Sequence, residues 1–463
     1  MPRKYFTVFF LYCTILLSCC VVVTHAQQRP PVPAINLTYL RIDFTYPSAR
    51  PAALGGAFIA AAQDGSAAAV NPAGLTYLKS AGASLNQRHV RTQNSEPQGS
   101  PSRPNGQTDF QTINFDQTMV GVFVPFKRFT IAGFRHVAFD SRFNFETRQF
   151  LTTNEDLTTR QVLGGLGNFP GRKVNLDLEM VNDAISLAVE VHKRLSLGFA
   201  FKTSVLNFRF DEHTYLDPEV ANGNRPRDNI AETTYAVNTL EERNVLIAAT
   251  FGFMSKVVVD KLFLGGVINL NPTFDLETTI FLPQYNLGSV AFPAESPEEP
   301  TFRIPVPNTY GLGIYYIAKR RLHFTFDVIS VQYTDLLKGN DLNAVEDDEF
   351  DPETGEYLDP DGKDDLTIED AIELHFGMEY LFRVPGLGLM PLRFGVFTNP
   401  GHRIYSANPN PDLKRLYPKQ DDRVHFTFGL GVVLNSYLKF DVSVNRSKDL
   451  LEITGSTLLS IPF

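Results

Sequence analysis

The chain has 463 residues, no tryptophan, three cysteines and a formal net charge of −9. An acidic balance argues against a nucleic-acid binder, and the length allows two or three ordinary domains or one large one. All three cysteines, Cys13, Cys19 and Cys20, fall within the first 26 residues, so the rest of the chain draws no stability from disulfides.

Residues 1–26 read as a secretory signal peptide. Arg3 and Lys4 precede an apolar run from Tyr5 to Val23, and Thr24-His25-Ala26 places small residues at the −3 and −1 positions. An uncleaved anchor helix is the alternative. A lipoprotein signal ending at Cys19 is disfavoured, because the apolar run continues through Cys20 to Val23. No later run approaches the ~18–20 apolar residues of a membrane helix.

Residues 27–80 contain "ALGGAFIAAAQ" followed directly by "DGSAAAVNPAGL". These side chains are too small for a core of their own and too apolar for a linker. The first stretch predicts a short, thin helix. Asp64 or Ser66 is placed to cap a second turn at "SAAA", and Asn71 marks a turn with Pro72 at the first position of another helical turn.

From Gly82 onward the apolar period is two. In "VHFTFGLGVVLN", Val424, Phe426, Phe428, Leu430, Val432 and Leu434 alternate with His425, Thr427, Gly429 and Gly431. Strands are predicted over 82–91, 115–126, 129–149, 174–192, 195–211, 244–256, 261–281, 306–318, 321–335, 368–383, 389–399, 423–435, 437–447 and 450–463, fourteen in all. A soluble sandwich alternates too. Three features favour a transmembrane barrel: strand lengths of ~10 or more residues, charges at mid-strand on the minor face, and tight turns alternating with long polar connections. The charged positions include Asp140, Arg142 and Glu146 opposite Phe139, Phe143 and Phe145, and Glu373, His375 and Glu379 opposite Ile372, Leu374 and Phe376. They are expected to face a wet lumen. With no tryptophan, phenylalanine and tyrosine must form the interfacial girdles, and the chain has 38 and 17 of them.

The expected fold is therefore an all-β, roughly 14-stranded antiparallel outer-membrane barrel spanning 81–463, with residues 27–80 as a small helical plug in its lumen. An ordered arm lying beneath the barrel is the alternative for 27–80. A lumen of this width, wider than that of a side-chain-filled eight-stranded barrel, would leak without an occupant.

The stretch "PSARPAALGGAFIAAAQDGSAAAVNPAGL" resembles the N-terminal hatch of the FadL/TodX-type outer-membrane transporters of hydrophobic compounds. The matching positions are Gly55, Gly56 and Ala57, then Asp64, then Asn71, Pro72, Ala73 and Gly74. The resemblance is specific over about thirty residues and architectural over the rest. It implies a fourteen-stranded barrel in the bacterial outer membrane that passively takes up a hydrophobic small molecule of the fatty-acid or hydrocarbon class. The ligand binds in an outer pocket and leaves sideways through a kink in the third strand. It also implies a C-terminal assembly residue, here Phe463 beside an unusual Pro462, read by the barrel-assembly machinery. Surrounding partners are outer-membrane lipid and lipopolysaccharide. The resemblance implies no cofactor, and a monomer is the default. Other barrels share this hatch and serve as secretion or surface-attachment partners, so that role stays as the alternative.

In the third strand, "IAGFRHVAF", strict alternation points Arg135 at lipid. A bulge at Gly133 would turn Arg135 inward and mark the lateral gate at Gly133, Phe134 and Arg135; an arginine snorkelling at the interface is the competing reading. The acidic loop Asp347 to Asp365 offers carboxylates for calcium but misses the EF-hand pattern; a solvated surface loop is the preferred reading, with weak divalent binding as the alternative. No G-x-S-x-G motif or metal-ligand cluster supports an enzyme. His375, set between Glu373 and Glu379 on one face, is the nearest thing to a proton or cation relay. The apolar loops Gln161 to Gly171 and Phe281 to Ala294 favour uptake of a greasy ligand; the charged loop favours a protein partner.

Overall fold

The period-two segments pair edge to edge with no member left over. The computed structural model describes residues 40–97, 107–147, 171–215, 234–281, 301–339, 366–386, 388–407, 417–434 and 437–461, with a few short pieces of the loops between them. The signal segment, Phe463, loop residues 161–167, and most of 347–365 lie outside the described residues.

The barrel strands are β1 (Ala81–Pro97), β2 (Gln107–Phe126), β3 (Phe129–Thr147), β4 (Gly171–His192), β5 (Leu195–Tyr215), β6 (Thr234–Val258), β7 (Leu262–Leu270), β8 (Thr309–Lys319), β9 (Leu322–Val331), β10 (Ala371–Val384), β11 (Gly388–Asn399), β12 (Arg423–Val433), β13 (Leu438–Arg446) and β14 (Leu450–Ile461). Each pairs with its neighbours in the chain, and β1 closes on β14 from Ala81↔Ile461 to Thr92↔Leu450. A closed ring leaves no edge, the condition for strands to cross a bilayer. Among the described residues no helix is long and apolar enough to cross a membrane.

The faces follow the alternation. Val424, Phe426 and Phe428 are exposed on the outside while His425 and Thr427 are buried inside; Ile372, Leu374 and Phe376 are exposed while His375 and Glu379 are buried. The tight turns after β2, β4, β6, β8 and β10 lie on one rim with Ala81 and Ile461, and Lys127 and Asp260 adopt left-handed φ of 49° and 58° in two of them.

Several strand ends differ from the sequence reading, and β1 and β2 also run on to Pro97↔Gln107, past the expected 91 and 115. The ladder between β5 and β6 continues to Tyr215↔Thr234, past the expected ends at 211 and 244. These extensions stand on the long-loop side, where neither face is uniformly apolar and alternation gives no signal. The expected strand 261–281 stops at Leu270. Asn271 and Pro272 break it, since proline has no N–H for the ladder, and Thr273–Glu277 pairs instead with Thr301–Pro305. The ninth strand ends at Val331 and turns into a 3-10 segment, Tyr333–Leu337. These additions bury Phe274, Ile304, Tyr333 and Leu336 with Leu40, Phe139 and Leu178, an apolar cap over the long-loop half of the lumen.

Candidate ligand cavity and its plug

Residues 40–80 occupy the lumen; an arm beneath the barrel is excluded. Helix α1 (Ala49–Ala53) is followed by Gly55 and Gly56 at φ of 62° and 78°, then α2 (Ala67–Val70) and a 3-10 turn, Pro72–Tyr77. The helix expected over "ALGGAFIAAAQ" therefore lies earlier and ends before the glycines, whose left-handed φ stops it. Ser66 precedes α2 without capping it by its side chain; its N–H and hydroxyl both donate to Asp64 Oδ1 (3.0 and 2.5 Å). Asn71 behaves as expected: its Oδ1 accepts from Ala73 N (3.2 Å) with Pro72 opening the turn. Its Nδ2 also donates to Ile59 O (2.9 Å) and to Phe253 O of β6 (3.1 Å).

The small side chains serve close approach. Ala52, Ala53, Ala61, Ala62 and Ala73 are fully buried. The wall answers with glycines. A Cβ on Gly198 of β5 would lie 2.1 Å from Ala73 N, and one on Gly395 of β11 would lie 2.2 Å from Gly55 N. Gly74 has the same reason inside the plug, where a Cβ would meet Ala62 O at 1.9 Å. Glycine inside a strand marks such approach, and the strand glycines are the signal in the sequence for this belt.

Polar side chains fasten the plug to the wall. Asp327 of β9 accepts from Phe58 N (2.6 Å) and Ile59 N (2.7 Å). His375 donates from Nδ1 to Gly55 O (2.6 Å) and stands 3.1 Å from the Glu373 carboxylate. Glu379, expected beside them, joins a different cluster: Arg393 Nε donates to it at 2.6 Å, Arg50 of α1 at 3.4 Å, and Arg393 Nη1 also donates to Asp441 at 2.6 Å. The face imagined as one relay is thus two separate anchors. Arg50 reaches Asp64 as well (3.3 Å). Burial works against its charge, but Glu379 and Asp64 outweigh that and raise its pKa above the usual arginine value. Burial likewise pushes the Asp43 carboxyl upward, and Arg41 and His402 overcome it, holding the group well below its ordinary range.

The third strand carries the irregularity, at a different residue. Gly133, Phe134 and Arg135 pair without a break with Val122, Gly121 and Val120 of β2 and with Ile185, Ala184 and Asp183 of β4. The bulge falls between Val137 and Phe139 and not at the expected Gly133. Arg135 stays outward, 56 % exposed, with Asp183 3.7 Å away and 49 % exposed. A lone charge on a lipid-facing wall costs roughly 2–4 kcal/mol at mid-depth, and a paired one less. Past the bulge the register of β3 shifts by one residue, which shifts a period of two, while Asp140 and Arg142 still reach the cavity as expected. Phe139 and Phe145, expected to meet lipid, are buried, and Glu146, expected in the lumen, is exposed.

The pairing of β2 with β3 ends at Met119↔His136; beyond it β2 pairs only with β1, and β3 only with β4. Side chains cross this break instead. Arg142 lies 2.8 Å from Asp140 and 3.5 Å from Asp116, and Arg88 lies 3.4 Å from Asp140. The segment ahead of the plug fills part of it: Phe44 bridges Phe139, Thr45 N donates to Ala138 O (2.8 Å), and the Thr45 hydroxyl donates to Val137 O.

Between plug and apolar cap lies a cavity of about 940 Å³. Phe44, Phe58, Ile59 and Val331 give it apolar walls; Asp140, Arg142 and Lys202 meet it beside the break. The volume suits a drug-sized or fatty molecule. Among the described residues no cluster of side chains is arranged to hold a metal ion.

No protein-family model matches the chain, and no curated protein matches it in sequence. Solved structures do match in fold. A FadL homologue from Pseudomonas aeruginosa aligns over 91 % of this chain and 99 % of its own at 16 % identity and a TM-score of 0.58. The CymD monoaromatic hydrocarbon channel aligns over 91 % and 100 % at 15 % identity and a TM-score of 0.52. The toluene transporter TodX of Pseudomonas putida aligns over 92 % and 100 % at 12 % identity and a TM-score of 0.52. The chain has the fold of these barrels.

Proposed function

We propose that the protein is a passive channel of the bacterial outer membrane that takes up a hydrophobic small molecule and releases it sideways into the bilayer. It is not an enzyme on this reading. The carrying observation is the cavity of about 940 Å³ that ends beside the unpaired stretch of β2 and β3. The plug seals the straight path through the lumen with hydrogen-bonded backbone, so a ligand in the cavity has the break in the wall as its nearest way out. The exposed apolar belt supports a membrane setting, and the fold shared with hydrocarbon and toluene channels supports the cargo class. Residues 1–26 fit as the export signal, 27–80 as the hatch and 81–463 as the barrel, with assembly by the barrel machinery, lipopolysaccharide as neighbour and a monomer as the working unit.

The test is uptake of radiolabelled toluene and of a labelled long-chain carboxylate by cells lacking their own channels of this kind, with and without this protein, alongside mass spectrometry of lipophilic material carried by the purified barrel. Faster uptake with a carried lipophile is expected. An empty barrel that transports neither probe and retains a protein through its loops would return the secretion-partner reading.

A further inference from the structure

At the foot of the break the wall is polar on both faces. Inside, at the last β2–β3 pair, stand His136 and, across from it on β4, Asn182; Ser204 of β5 donates to Asn182 at 2.6 Å. Two residues further along β5 toward the tight turn, Lys202 lines the cavity, is only 6 % exposed, and among the described residues has no carboxylate partner. Outside, Arg135 and Asp183 are direct cross-strand partners on β3 and β4, roughly half exposed and loosely engaged at 3.7 Å. Their outward neighbours Ile131, Val120, Val122 and Ile185 are all exposed apolar residues. Arg135 is six residues from the tight turn, about 15 Å of wall height for a tilted strand, which is deep in the hydrocarbon rather than at an interface. Ionisable groups at such depth mark pathways.

We infer that Arg135 and Asp183 form an exit subsite on the outer wall for the anionic head of an amphipathic cargo, receiving it as it leaves the lumen beside Lys202. This rests on the lateral-release reading above. An anion leaving the cavity gives up Lys202 as a partner and would otherwise enter lipid bare. Arg135, freed from a 3.7 Å contact, offers a fork of donors there, and Asp183 keeps that arginine neutralised when no cargo is present. A neutral hydrocarbon needs neither group. The pair therefore points to a lipophile with an acidic head as cargo.

The experiment compares wild type, an Arg135→Leu/Asp183→Leu double variant and Arg135→Lys in whole cells, using a labelled long-chain carboxylate and labelled toluene. Heat-modifiable mobility confirms a folded barrel. The carboxylate-to-toluene uptake ratio is expected to fall several-fold in the double variant and to return largely in Arg135→Lys, while carboxylate affinity of the detergent-purified protein stays at the wild-type value. A double variant with the wild-type ratio overturns the inference. Toluene uptake without carboxylate uptake by wild type overturns it too, and leaves the channel reading standing. Uptake of neither probe removes both.

Discussion

Arg50 and Glu379 join the plug to the wall through two contacts of 3.4 Å, and Glu379 is shared with the fully buried Arg393. Removing one member of a buried ionic cluster leaves the others uncompensated, at a cost of about 3–5 kcal/mol. Glu379→Gln takes a carboxylate from both Arg393 and Arg50, which keep Asp441 and Asp64, whereas Arg50→Met leaves Glu379 with Arg393 and Asp64 with its Ser66 hydrogen bonds. Thermal unfolding in detergent is expected to fall more for Glu379→Gln than for Arg50→Met.

Asp327 offers one oxygen to two plug amides, Phe58 N and Ile59 N. Each buried N–H left without an acceptor costs about 1–3 kcal/mol. Asp327→Leu should speed hydrogen exchange across 54–62 without unfolding the barrel, and Asp327→Asn, which keeps an acceptor, should recover most of the protection. Equal exchange in all three proteins counts against Asp327 as an anchor.

The glycine belt gives a steric test. Gly198→Val places a side chain where Ala73 N already sits, 2.1 Å from the new Cβ, and backbone cannot yield as a flexible side chain would. Displacement of the plug is expected, read as ion conductance in planar bilayers. Gly455→Ala meets nothing within 4 Å and should stay closed.

Asp43 supplies a pH dependence. Its side chain is 36 % exposed where it opens onto the cavity, and its pKa is held well below the ordinary carboxylate value. A lowered folded pKa stabilises fully above the unfolded value of about 3.9 and ceases to do so as pH falls through the folded value. Acidification below about pH 4 should therefore loosen the segment 40–46 in wild type. Asp43→Asn should show a shallower loss over the same range, measured by limited proteolysis.

The break between β2 and β3 can be closed covalently, because no cysteine follows Cys20. Asn114 Nδ2 donates to Asp140 Oδ2 at 3.5 Å across it. An Asn114→Cys/Asp140→Cys pair should lose uptake of every probe on oxidation and regain it on reduction. Unchanged uptake in the oxidised protein would place the exit elsewhere.

The sequence by itself determined the barrel: its strands, their outer faces everywhere but the far half of β3, and the alternation of short and long connections follow from a period of two, because a strand in lipid must show one apolar face throughout. It also marked the plug, since a run of alanine and glycine has no other way to be buried. Only the tertiary structure decided the chemistry of the lumen. Whether Glu379 belongs with His375 or with Arg50 depends on where the plug sits, a contact between residues more than three hundred positions apart. The bulge at Ala138 was invisible for a related reason. A one-residue shift in a strand leaves the same residues in the same order, and only the pairing with β4 shows that Phe139 has turned inward and that β2 has been left behind.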